Sequence, residues 1–103
     1  MQREQLVGSV GMACLTVRPL DTGVAQGLND LPVLVANSAL NVIESACSAA
    51  IAEHFETGET SFTIGAAIQM RGAVSIGAEV RALVKATELA ENVLTFECEV
   101  HQE

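Results

Sequence analysis

Asn37-Ser38-Ala39-Leu40-Asn41-Val42-Ile43-Glu44-Ser45-Ala46-Cys47-Ser48-Ala49-Ala50-Ile51-Ala52-Glu53-His54-Phe55 is the stretch that decides the fold. Ala, Leu and Glu favour helix, and neither Gly nor Pro interrupts these nineteen residues. Asn37 or Ser38 offers an oxygen to an orphan amide of the first turn, and Thr57-Gly58 stops the helix. At 1.5 Å per residue the helix is about 27 Å long, roughly the width of a small domain. It therefore crosses the whole molecule.

Leu40, Ile43, Cys47, Ala50 and Ile51 form an apolar stripe at helical spacing, and small side chains cover most of the remaining surface. Such a helix is suited to enclosure. Glu44 sits in its middle, with Leu40 one turn before and Cys47 and Ser48 one turn after. A carboxylate in that setting is the first chemical feature of the chain.

Outward from the helix the pattern changes. Gly11 to Arg18 reads as a first strand, and the Gly-, Asp- and Pro-rich connection from Pro19 to Leu34 is long enough to suggest a functional loop. Beyond Thr57-Gly58 the period becomes twofold: Phe62, Ile64, Ala66, Ile68 and Met70 would share one strand face. The next strand puts Ala78, Val80, Ala82, Val84 and Ala86 inward, leaving room for a close helix. The last puts Leu94, Phe96, Cys98 and Val100 inward. If these final two strands pair with residue numbers adding to 182, Lys85 faces Glu97 and Arg81 faces His101. The expected order is strand, loop, buried helix and a three-stranded antiparallel meander, in one domain covering 1–103.

Half of the 103 residues are hydrophobic and only 17% are charged, below the usual quarter. A small monomer would struggle to hide that surface, so a homodimer or higher homo-oligomer is expected. The net charge of −8, with five basic residues, argues against nucleic acid. Cys14, Cys47 and Cys98 are odd in number and widely spaced, which reads as reduced core thiols of a cytoplasmic protein, without metal or cofactor. No apolar run is long enough to span a membrane, and Met1-Gln2-Arg3-Glu4-Gln5 is too polar for a signal peptide.

Asp30-Leu31-Pro32-Val33-Leu34 before the helix, Glu44 with Ala46-Cys47 within it, and Thr57-Gly58-Glu59 after it resemble the fluoroacetyl-CoA thioesterase-like branch of the hotdog-fold superfamily. The resemblance runs without gaps from about Asp30 to Val100. It implies an α+β hotdog fold, a long central helix wrapped by an antiparallel sheet. It also implies a site at a dimer interface where a Thr, a Glu and a His hydrolyse an acyl-CoA thioester. On this sequence the Glu falls on Glu44, the Thr on Ala36 and the His on Met70, while a glycine beside the acyl group falls on Thr63. The family pattern continues into a further strand with a Gly-Thr-His-like tail, whereas this sequence ends at Glu103.

Two readings of these residues stand side by side. In one, Glu44 is a base or nucleophile beside a thioester, made more basic by burial. In the other it is a surface Glu on a less enclosed helix. Met70 cannot transfer a proton, and His54 lies about 15 Å along the helix from Glu44, out of reach within one subunit. Asn37 or Ser38 would replace the polar contact missing at Ala36 after a one-residue slip, although capping explains both. Arg71, with Arg81 and Lys85, either meets CoA phosphates or pairs with the abundant acids. The function classes are thus an acyl-CoA thioesterase with Glu44 as its key carboxylate, or a catalytically degenerate dimer that binds an acyl or small apolar ligand.

Overall fold

A computed structural model describes residues 3–103; Met1 and Gln2 of the polar N-terminal stretch lie outside the described residues. The elements are β1 (Val10–Thr16), α1 (Ala36–Ile51), β2 (Glu79–Ala90) and β3 (Val93–Gln102), with short 3-10 turns at Arg3–Gln5, Pro19–Asp21 and Ala52–His54. The strands form one antiparallel sheet in the order β1-β2-β3, and α1 packs across β1 and β2. This is one helix laid on a curled antiparallel sheet.

The register of β2 and β3 is the expected one from Val80 to Ala86, with Lys85 opposite Glu97 and Arg81 opposite His101. A bulge at Thr87 then shifts the pairing to Glu88 opposite Thr95. The shift lets Leu89 follow Ala86 onto the helix side, where it packs against the core. The hairpin closes tightly through Glu91, at a φ of 56°, and the Arg3 guanidinium clasps the Glu91 carbonyl and the Asn92 side chain.

The helix departs from the sequence reading in three ways. It begins at Ala36 and ends at Ile51, followed by one 3-10 turn. Its N-cap is Val35, which makes no side-chain bond; extended backbone pins that residue through Val35 N–H to the Asp21 carbonyl at 3.1 Å. Asn37 and Ser38 consequently fall inside the first turn, where they bond Gln26 instead of capping: Asn37 Nδ2 donates to Gln26 Oε1 at 2.8 Å and Gln26 Nε2 to Ser38 Oγ at 3.2 Å.

The third departure is rotational. The buried stripe is Ser38, Ala39, Val42, Ala46, Ala50 and Ile51, while Leu40, Ile43 and Cys47 lie half-buried on one flank. Close approach selects small side chains over large ones. Ala46, Ala82 and Ala86 have no exposed surface, and Gly11 abuts the helix backbone at Ala46 and Ala50. The inward alanines of β2 thus do what the sequence suggested.

The strand expected over residues 61–71 is absent. Residues 59–71 are irregular, and Phe62, Ile64 and Met70 are 84%, 69% and 41% exposed. A two-faced strand needs a hydrogen-bonding neighbour and a covering layer. Here both sides of β2 are already taken, by β1 and β3. The meander therefore uses β1 where the sequence suggested the later segment. In the far half of β3, Cys98 and Val100 are exposed instead of inward in the core.

The loop before the helix is tied down at Asp21, which is 6% exposed. Its carboxylate accepts bonds from the Arg18 backbone N–H at 2.9 Å and Arg18 Nε at 3.2 Å. The Arg18 side-chain bond, with the backbone bond, holds the Asp21 carboxyl below its usual range. Because the folded value is depressed, this contribution to stability is present above about pH 4 and is lost as pH falls through the lower folded value. We expect Asp21→Ala to cost about 1–3 kcal/mol at pH 7, chiefly through the stranded backbone donor since Arg18 is exposed, with the gap to wild type closing in acid. Urea titrations at pH 7 and pH 3 measure both.

Candidate functional site

Glu44 is placed by the helix that the small residues seat on the sheet. At 100° per residue it lies roughly 160° around the axis from Ala46, so it faces away from the sheet. It is half-buried between Leu40 and Ser48, with Cys47 at its shoulder. Among the described residues, none engages its carboxylate in a hydrogen bond or ion pair. An acceptor of this kind, on a rigid helix and beside apolar side chains, can take a proton from water or a ligand.

The helix start carries the next two candidates. Ala36 is the first helical residue and is exposed; Asn37 is exposed and bonded to Gln26. The chain after the helix returns to this same end, where Val33 pairs with Ser75 and Leu34 N–H donates to the Val74 carbonyl at 2.9 Å. Met70 and Arg71 thus belong to a segment anchored, a few residues later, beside the two residues that precede the helix cap. Thr63, Met70 and Arg71 are all exposed on that segment. The single chain brings the helix start and the anchor together but builds no wall over Glu44.

Neither histidine reaches the candidate site. His54 lies at the far end of the helix with its side chain 10% exposed, its Nε2 3.3 Å from Ser9 Oγ. His101 is on β3 and lies 3.1 Å from Glu99. Burial above all, then Cys98 and the Glu44 charge, push the Cys47 thiol up to about 12, so it is protonated at neutral pH.

The sequence reading missed three polar features. The Arg18–Asp21 pair, the Gln26 bridge to the helix start and the nearness of the Cys47 and Cys98 thiols all depend on tertiary placement. Only Pro19-Leu20-Asp21 carried a local signal, as a turn opening with proline and closing on an acid. Among the described residues no group of three or more His, Cys, Asp or Glu could hold a metal ion, and no helix is long and apolar enough to cross a membrane.

Comparison with known proteins extends this picture. The family model FlK, fluoroacetyl-CoA-specific thioesterase, matches residues 17–103. The solved structure of the fluoroacetyl-CoA thioesterase FlK superposes with a TM-score of 0.83 at 21% identity, over 92% of this chain and 75% of that one. A point mutant of FlK in complex with fluoroacetate gives 0.82 at 22% identity, over 92% and 76%. Another, in complex with fluoroacetate and CoA, gives 0.83 at 21%, over 92% and 81%. At these identities the likeness shows the fold, which is the hotdog. A search of curated proteins finds no match.

Proposed function

This chain belongs to the fluoroacetyl-CoA-specific thioesterase family, and from that premise we propose that it hydrolyses a short acyl-CoA thioester with Glu44 as the key carboxylate. The observation that carries the reading is Glu44 itself: half-buried, facing away from the sheet and without a protein partner. Water held by that carboxylate attacks the thioester carbonyl carbon and gives its proton to Glu44. The tetrahedral oxyanion then collapses, the C–S bond breaks, and the CoA thiolate leaves with that proton.

A second copy of the chain completes the slot. Leu40, Ile43 and Cys47 form a half-covered apolar flank beside Glu44, and Phe62, Ile64 and Met70 alternate along an exposed segment. Burying both sets in a homodimer would wall the carboxylate in and give the 59–71 segment a strand partner. In this reading Ala36, Asn37 and Thr63 border the acyl group, Met70 packs on it and Arg71 meets CoA phosphate. The whole chain acts as one domain in the cytoplasm, consistent with three free thiols. Sedimentation equilibrium at micromolar concentration should return twice the chain mass; a monomer would remove the slot.

Release of thiol from acetyl-CoA and fluoroacetyl-CoA by the purified protein tests the activity. Turnover above the buffer rate is expected, and binding without turnover would favour the second reading, a ligand-binding dimer. One observation supports that alternative: Ala36 and Met70 have no group that can donate or accept a proton. Met70→His decides between them. If the slot accepts thioesters, restoring an imidazole should raise kcat at least about tenfold, a modest share of what a placed acid or base supplies.

A further inference from the structure

Two of the three thiols meet, and the topology explains why. Gly11 on β1 lies opposite Val84 on β2, and Val84 lies opposite Cys98 on β3. Directly paired residues share a sheet face. Gly11 touches the helix backbone and Val84 is core, so this row, including Cys98, is on the helix side. The helix sits over β1 and β2, with β3 beside it.

Its two flanks can be told apart. Asn41 and Ser45 border a recess with Leu15 and Asp21 on the β1 side. Cys47 and Ile43 lie on the opposite flank, packed on the cluster that also takes Leu94 and Phe96 of β3. Cys47 therefore overhangs β3 where Cys98 looks up. The two thiols are near enough for each to bias the ionisation of the other. Cys14 falls on the other face, opposite Arg81, and takes no part.

We propose that Cys47 and Cys98 form a reversible disulfide that staples the central helix to the edge strand, one helical turn from Glu44. With hydrogen peroxide as oxidant, the exposed Cys98 thiolate attacks one peroxide oxygen. The O–O bond breaks, hydroxide leaves, and Cys98 becomes a sulfenic acid. The Cys47 sulfur then attacks the Cys98 sulfur; the S–S bond forms, the S–O bond breaks, and the departing hydroxide takes the Cys47 proton as water. Two thiols and one peroxide yield one disulfide and two waters.

Burial raises both thiols above their ordinary values, although the neighbouring Cys47 thiol partly favours the Cys98 thiolate. Oxidation is therefore slow at pH 7 and should accelerate about tenfold per pH unit towards pH 9. The bond closes a long loop, so the oxidised protein should melt roughly 10 °C higher. That it alters turnover rests on the Glu44 reading; that it forms does not.

The test uses Cys14→Ser protein, which cannot link through Cys14, treated with peroxide at pH 8.5. Intact mass should fall by the two hydrogens lost from the thiols, peptide mapping should join Cys47 to Cys98 within one chain, and dithiothreitol should reverse both. Adding Cys98→Ser should abolish the loss and the rise in melting temperature. Full alkylation of both thiols after oxidant, or links only between chains, would overturn the proposal. A bond that forms without changing acyl-CoA turnover would leave the staple standing and count against the site.

Discussion

Gly11→Val should unfold the protein or bring it to the edge of unfolding. A Cβ at this position of β1 would run into the Ala46 carbonyl oxygen and lie 2.8 Å from the Ala50 amide nitrogen and 2.9 Å from the Ala50 Cβ. Backbone of a seated helix cannot swing aside as a side-chain tip can, so helix and sheet would have to separate. The layer that would open contains Val42, Ala46, Ala50, Ala82 and Val84, the centre of the larger core cluster. We expect a cost of about 3–5 kcal/mol, a large part of the stability of a domain this size. Urea denaturation followed by circular dichroism measures it. A loss below about 1 kcal/mol would mean that the helix does not rest on Gly11.

Glu44→Gln carries the largest functional effect. The amide keeps the size and the helix propensity of the acid but cannot accept a proton from water. A positioned general base is worth about 100-fold or more, so kcat/KM for acyl-CoA hydrolysis should fall by at least that factor. Acyl-CoA affinity and melting temperature should stay near wild type, because the Glu44 carboxylate has no protein partner to strand. Stopped or continuous thiol-release assays with a binding titration separate these outcomes. Unchanged hydrolysis would remove Glu44 from the chemistry.

Both expectations draw on what was legible in the chain and on what was not. The position of the helix, its lone mid-length acid and the pairing of Lys85 with Glu97 follow from composition, periodicity and charge. Which way the helix turns did not follow. A stripe read by hydrophobicity favours Leu40, Ile43 and Cys47, whereas the sheet took Ala39, Val42 and Ala46 because Gly11 lets the backbones meet. Local pattern weighs transfer energy and cannot weigh approach distance.

The 61–71 stretch makes the complementary point. Its alternation is genuine, but a strand is stable only against neighbours, and this stretch pairs with none of the three strands of the sheet. The candidate site inherits that gap: Glu44, Ala36 and Asn37 sit on the helix, while Thr63, Met70 and Arg71 lie on the exposed segment. The thiol pair was hidden for another reason. Residues 47 and 98 meet only once β3 is in register beside β2, and the bulge at Thr87 gave no local sign.

A crystal structure of the protein with a non-hydrolysable acetyl-CoA analogue decides whether Glu44 looks into a slot shared by two copies. Two copies should be present in the assembly, with residues 59–71 paired as a strand and the analogue's carbonyl within hydrogen-bonding reach of water held by Glu44. An analogue bound elsewhere, or Glu44 open to solvent in the assembled protein, would contradict that arrangement.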